Sequence, residues 1–347
     1  MARVRRKTFA TTLAACLSLA PPFAAAPPPA PTIEIAPGVH LPLVSLGTAE
    51  YDGAELTNVT RMALAMGYVG IDNDDGGRGT DMGNTLRELA VPRHRFFLTA
   101  KVNGGQTKAQ TALSLESEYK ALGLKQIDLL LLHHPTPAPG LTLNETLQQQ
   151  WAALEDFYRS HRVRAIGVSN FCRMAFAALE ETAVIMPAVN QIMFHAGMGD
   201  DPDGIRSFAL SGAGLGPARI LPMGYSAIDQ GNPAILEGKL YLEIAKRYGV
   251  TAAQVALRWI TQHDPPVPFV VAASDPTYLS QNLDLFGFTL SAQEMTAISA
   301  EKSCHAGSDH DRSPCLPYWP GGACNPCCCT APPMHVGCCC TNSSGAP

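Results

Sequence analysis

Ile127-Asp128-Leu129-Leu130-Leu131-Leu132-His133 is a short apolar run ending in an ionisable residue, with a helical segment on each side. Upstream, Leu115, Tyr119 and Leu122 recur at helical spacing, and Gly123 follows them as a C-terminal glycine should. Downstream, Thr142-Leu143-Asn144-Glu145 is a capping box. It opens a segment in which Leu143, Leu147, Trp151, Leu154 and Tyr158 form one apolar stripe. Strands alternating with helices imply a parallel sheet.

The unit recurs along the chain. Comparable runs are Val44 to Gly47, Val69 to Asp72, Phe96 to Lys101, Arg164 to Ser169, Ala188 to Gln191, Ile220 to Tyr225 and Phe269 to Ser274, which with the first make eight. Thr251 with Gln254 and Ser291 with Glu294 repeat the capping signal, and Asp275-Pro276 sets an N-cap before a proline suited to the first helical position. Eight units in about 270 residues predict a closed (β/α)8 TIM barrel. The competitor is an open doubly wound sheet, but the first βα turn, Gly47-Thr48-Ala49-Glu50-Tyr51, lacks the G-x-G-x-x-G pattern of that fold's dinucleotide site.

The 347 residues carry 46% hydrophobic and 16% charged side chains, well below the usual charged share of about 25%. That balance excludes a charge-rich disordered chain, and a net charge of −5 offers nucleic acid no electrostatic hold. Three organisational segments are expected. Residues 1–26 have a basic start (Arg3, Arg5, Arg6, Lys7), an apolar stretch broken by Pro21-Pro22 and the small residues Ala24 to Ala26, as in a cleaved signal. This points to the secretory pathway or an organelle, and to the cytoplasm if the leader is not a signal. No integral membrane span is expected once the signal is removed. Residues 31–302 form the barrel. Residues 303–347 form a disordered or irregular Cys/Pro/Gly-rich tail with nine of the eleven cysteines, which suits a low-complexity appendage, disulfides or a zinc-binding C-x-x-C at Cys324 and Cys327.

In a barrel of this class, chemistry sits at the carboxyl ends of the strands. Those ends carry Asp72, Lys101, His133, Ser169-Asn170, Gln191, Tyr225 and Ser274. Any one of them alone would be an ordinary cap or solvated side chain; seven consecutive strand ends mark a site. The segments Gly67 to Asp72, Leu98 to Lys101, Asp128 to Pro135, Gly167-Val168-Ser169-Asn170-Phe171, Pro187 to Gln191 and Ala253 to Trp259 resemble, in order, the signature segments of the aldo-keto reductases. The similarity runs from Ile33 to Ser299.

That resemblance implies a (β/α)8 barrel that binds NADP(H), or in some members NAD(H), on its C-terminal rim and reduces a small carbonyl compound, aldehyde or ketone, to an alcohol. By the same resemblance Asp72 and Lys101 form a buried charge pair, and His133 orients the carbonyl. Ser169, Asn170 and Gln191 hold the nicotinamide carboxamide, and Tyr225 stacks on the ring. Gly47, Thr48 and Ser226 line the cofactor, and Ser274 and Asn282 lie near its adenosine end. Ile33-Glu34-Ile35 and His40-Leu41-Pro42 resemble the family's N-terminal β-hairpin that closes the barrel bottom. A monomer is expected, and no metal at the barrel site.

Two departures stand out. The family's proton donor is a tyrosine five residues after the aspartate, whereas position 77 here is glycine and no tyrosine occurs between Tyr68 and Tyr119. Loss of a general acid lowers a rate by about 10²–10⁴-fold while leaving cofactor binding to other residues. Either turnover is impaired, or His133 or Tyr51 substitutes, or the chain is a non-catalytic cofactor-binding or regulatory pseudoenzyme. The acidic, glycine-rich stretch Asp72 to Gly79 lacks the alternating ligands and closing glutamate of a calcium loop and is expected to be a solvated loop. The second departure is that Ala272 to Leu279 contains no basic residue to clamp a 2′-phosphate, which weakens the expectation of NADPH selectivity.

Overall fold

The computed structural model describes residues 30–74, 79–214 and 219–301. The expected signal, the Cys-rich tail and position 77 therefore lie outside the described residues.

Eight parallel strands close a barrel in the order β10-β3-β4-β5-β6-β7-β8-β9. They are β3 (Val44–Gly47), β4 (Gly70–Asp72), β5 (Phe97–Val102), β6 (Ile127–Leu132), β7 (Val163–Ser169), β8 (Val189–Met193), β9 (Leu221–Tyr225) and β10 (Phe269–Val271). The outer ring is α1 (Gly53–Met66), α2 (Gly79–Glu88), α3 (Lys108–Leu122), α4 (Leu143–Arg159), α5 (Arg173–Glu180), α6 (Ile205–Leu210), α7 (Pro233–Leu236), α8 (Lys239–Tyr248), α9 (Ala252–Thr261), α10 (Pro276–Leu283) and α11 (Ala292–Ala300). The predicted strands are all present, with ends displaced by up to three residues; β10 stops at Val271, so Ser274 follows the strand instead of ending it. The capping boxes at Thr142, Thr251 and Ser291 form as expected, and Thr107 with Gln110 makes another on α3.

Side chains alternate along a strand, so each barrel strand presents one set to the interior and one to the helices. Leu129, Leu131, Phe97, Ala165, Val189, Leu221, Met223 and Val270 pack together inside the barrel, while Leu130 and Leu132 belong to the larger core beneath the helices. Gly167 makes room in the interior: a Cβ there would lie 2.8 Å from both Leu131 Cδ2 and Val189 Cγ2. The barrel bottom is closed by the antiparallel pair β1 (Thr32–Ala36) and β2 (Val39–Pro42), whose Val39 and Leu41 join the interior cluster. Buried Asp128 ties this floor together. It accepts from Leu98 N (2.8 Å), Arg164 Nη1 (2.8 Å) and Arg93 Nη2, and Arg164 Nη2 donates to Gly38 O (2.8 Å) in the hairpin turn.

Beside β8, His263 packs edge-on against Trp259 (ring centroids 4.6 Å) and near Phe194. Burial, reinforced by the Arg206 charge and opposed by Asp200, holds its imidazole down from 6.5 to about 4. The unfolded chain therefore takes up a proton between about pH 6.5 and pH 4 that the folded chain refuses, and stability falls as pH drops through that window. Denaturant titration at about pH 7 and about pH 4.5 is expected to show a loss on the order of 2–3 kcal/mol from this residue. His263→Gln should remove that part of the acid sensitivity.

Candidate active site

The strand alternation that fills the barrel floor with Leu, Val and Phe places polar groups at its mouth. On β5 the interior series runs Phe97, Thr99, Lys101, and on β8 it runs Val189, Gln191. Asp72 ends β4, and its carboxylate forms an ion pair with Lys101 through Oδ1; both side chains are 6% exposed. Gln191 Nε2 donates to Asp72 Oδ2 at 2.7 Å, so both carboxylate oxygens are engaged. The Asp72 carbonyl accepts from the Thr48 hydroxyl (2.9 Å) and amide (3.2 Å). Thr48 thus clamps the Asp72 backbone, and Gly47 precedes it at the end of β3.

A second network crosses the mouth. Gln191 O accepts from Ser169 Oγ (2.9 Å) and from the Asn170 amide (2.8 Å). Asn170 adopts φ +61°, a left-handed conformation that asparagine tolerates better than most side chains. Its Nδ2 donates to His133 O (3.1 Å), and Tyr225 OH donates to its Oδ1 (2.8 Å). The neighbouring Asn190 faces the other way, donating to Phe171 O at 3.0 Å and fixing the turn after β7. In Asn190-Gln191, one residue holds the scaffold and the next points to the site.

His133 follows β6, its amide bonded to Val102 O at 2.9 Å. Its Nδ1 lies 3.8 Å from Asp74 Oδ1, and its ring stacks on His134 with centroids 3.9 Å apart. Asn73 braces the loop carrying Asp74: its amide bonds Thr99 O (2.8 Å) and its Nδ2 bonds Glu118 Oε1 (3.2 Å). Tyr51 is buried beyond β3; burial, with Glu55 and Glu50 nearby, pushes its phenol up, making it a weaker acid than a free one.

The fold therefore brings together Gly47, Thr48, Asp72, Lys101, His133, Ser169, Asn170, Gln191 and Tyr225. Ser226, at φ +52°, opens the loop after β9, where Asp229 and Gln230 are also left-handed. Asn232 Nδ2 holds Asp229 Oδ2 at 2.8 Å. Ser274 and Asn282 part company. Ser274 is exposed before α10, whereas Asn282 is buried in its last turn, on the helix whose Leu279 carbonyl accepts from the Tyr68 phenol at 3.1 Å. The sequence pattern did not single out Asp74, Asn73, His134 or Asn190. Asp74 lay hidden in an acidic run read as solvated loop, and adjacency to His133 was the one signal for His134.

The sequence profile of the aldo/keto reductase family matches residues 51–302, and the chain belongs to that family. It is 31% identical to the 9,11-endoperoxide prostaglandin H2 reductase of Trypanosoma cruzi, over 82% of this chain and 94% of that protein. Glyoxal reductase of Bacillus subtilis is also 31% identical, over 78% and 92%. Among solved structures, an aldo-keto reductase of Bombyx mori in complex with NADP superposes with TM-score 0.68 at 26% identity, covering 79% of this chain and 94% of that one. The fold and the oxidoreductase class expected from the sequence hold. Family members bind nicotinamide cofactors, and the two amides, hydroxyl and phenol ring gathered around Gln191 are chemically suited to a flat ring bearing a carboxamide.

Among the described residues no group of three or more His, Cys, Asp or Glu side chains is placed to hold a metal ion, and no helix is long and apolar enough to cross a membrane. Removing one partner of a buried ion pair leaves the other charge uncompensated, at a cost of about 3–5 kcal/mol. Asp72→Ala is expected to destabilise the barrel by that amount in urea unfolding, and the double variant Asp72→Ala/Lys101→Met should recover much of it.

Proposed function

We propose that this chain uses NADPH or NADH to reduce a small aldehyde or ketone to the alcohol. The observation that carries this reading is the Asp72 carboxylate held between Lys101 and Gln191 at the barrel mouth, with His133 just past the end of the next strand but one. When bound, the reduced nicotinamide supplies the hydride. Ser169, Asn170 and Gln191 would hold its carboxamide, with Tyr225 against the ring. Gly47 and Ser226 would line its path. In this reading the Asp72–Lys101 pair would supply a fixed cation near the carbonyl oxygen, where negative charge develops.

Loops after the last two strands of such barrels, together with a helix N-terminus, commonly receive phosphate. Here that corner carries Ser274 and Asp275, and Asp275 Oδ1 already accepts from Thr277 N at 2.7 Å. Backbone donation from Thr277 keeps this carboxyl below its usual range, so it is anionic at neutral pH. A carboxylate there suits a ribose hydroxyl better than a 2′-phosphate, which supports use of NADH alongside NADPH. Asp275→Lys is expected to improve NADPH affinity relative to NADH by about tenfold, read by fluorescence titration.

A second reading, a cofactor-binding protein without turnover, is favoured by Gly77. Titrating both cofactors and then following their oxidation with a panel of aldehydes and ketones separates the two. Turnover supports the reductase, tight binding without turnover supports the second, and absence of binding to either cofactor overturns both. Gly77→Tyr should raise kcat by at least about tenfold if the missing phenol limits the rate.

A further inference from the structure

Charge is divided along the barrel axis. Among the described residues, no lysine or arginine occurs in the eight loops that leave the barrel strands at the mouth, residues 48–52, 73–74, 103–107, 133–142, 170–172, 194–204, 226–232 and 272–275. Acids stand there instead: exposed Glu50 and Asp52 after β3, Asp74 after β4 and exposed Asp275 after β10. The connections that return to the strands at the floor hold Arg93, Arg95, Lys125, Arg162 and Arg219 against Glu181 and Asp264. After β1, the stretches outside the described residues, 75–78, 215–218 and 302–347, hold Asp75, Asp309 and Asp311 against Arg78, Lys302 and Arg312, so they do not reverse this pattern.

The site at the mouth is fixed by other residues, the Asp72–Lys101 pair and the amides around Gln191, and the rim governs what reaches it. Lys101 lies at this end too, but Asp72 matches its charge. Asp200 and Asp201 after β8 lie in the field of Arg206, and Asp229 after β9 is buried and held by Asn232. Glu50, Asp52, Asp74 and Asp275 are left facing an entering molecule with no lysine or arginine in their loops. The field of Glu50 reaches inward, since burial first and then Glu55 and Glu50 push the Tyr51 phenol up. A cleft walled by one sign of charge concentrates the opposite sign and repels its own.

From this distribution we infer that the carbonyl substrate is cationic, an aldehyde or ketone bearing an ammonium group, and that carboxylate-bearing carbonyls are rejected. The inference rests on the reductase reading above and names the substrate class of the same site. Asp74 is the specificity-determining residue nearest the chemistry: its Oδ1 lies 3.8 Å from His133 Nδ1, and its side chain is 26% exposed. A carbonyl oriented by His133 brings its substituents beside that carboxylate. A reduced dinucleotide, with anionic phosphates and an uncharged nicotinamide, adds charge of the same sign to the loaded site.

The test uses the full chain with saturating cofactor at about pH 8, where a free imidazole is neutral. The probes are 4-(trimethylammoniomethyl)-, 4-(hydroxymethyl)- and 4-(carboxymethyl)benzaldehyde, in which a methylene insulates the carbonyl from the substituent. At an ionic strength of about 0.02 M, kcat/KM for the ammonium compound should exceed that for the carboxylate by about tenfold or more, with the hydroxymethyl compound between them. At about 0.5 M salt the ratio should shrink to within about threefold, because the Debye length falls to a few ångströms. Asp74→Asn and the double variant Glu50→Gln/Asp52→Asn should each lower the low-salt ratio by about threefold or more, and Asp74→Lys should bring it to about one or below. The ratio compares two substrates in one enzyme, so a general loss of activity cancels. A low-salt ratio near one, a preference for the carboxylate, or a ratio indifferent to salt and to Asp74 overturns the cationic class while leaving the reductase reading standing. So does turnover of other aldehydes or ketones with none of the ammonium compound. Cofactor binding with no carbonyl turned over overturns this inference and the reductase reading together.

Discussion

A carboxylate inside a barrel whose floor is leucine, valine and phenylalanine is tolerable only if both of its oxygens find partners. Asp72 meets that condition with Lys101 on one oxygen and Gln191 on the other, while Thr48 holds its backbone. These four residues come from β3 and its following turn, β4, β5 and β8. One charge requirement therefore sets the relative positions of the upper ends of strands on opposite sides of the barrel. The same requirement leaves a cation and an amide at the mouth.

The floor solves the opposite problem. Leu129, Leu131, Val189 and Val270 fill the lower interior, and the β1–β2 hairpin lays Val39 and Leu41 across the opening. Asp128 is the polar exception, placed where Arg93, Arg164 and Leu98 N surround it and where Arg164 reaches the hairpin turn. Two buried aspartates thus mark the two ends of the barrel. The lower one secures the scaffold, and the upper one organises the site.

Between the charge cluster and solvent lies a layer of neutral hydrogen bonds linking Tyr225, Asn170, Ser169, Gln191 and the loop after β6. Asn170 joins three strand ends at once, since it touches the His133 carbonyl, His134 and the Tyr225 hydroxyl. Its left-handed φ lets the chain turn sharply after β7 without a glycine, which would offer no side chain for this junction. The loop after β9 shows the same economy, with Ser226, Asp229 and Gln230 all left-handed and Asp229 clasped by Asn232. Backbone strain of this kind gathers where a surrounding site holds it in place.

The strands, the helix caps and the polar residues at the strand ends were legible in the sequence because each depends on local spacing. Hydrophobic alternation, the capping boxes at Thr142, Thr251 and Ser291, and the runs ending at Asp72, Lys101 and His133 need no partner to be recognised. Sequence likewise settled that no tyrosine stands between Tyr68 and Tyr119. What it could not supply is which face of a strand meets which neighbour. Asn190 and Gln191 are adjacent amides, and only closure of the barrel turns one to the scaffold and the other to Asp72. Asp74 looked like one more acid in a solvated loop until the register of β4, β5 and β6 brought it beside His133. Composition and periodicity fixed the elements and the residue types at the mouth. Pairing across the barrel, a contact between residues far apart in the chain, decided which of them face each other and so what chemistry they can share.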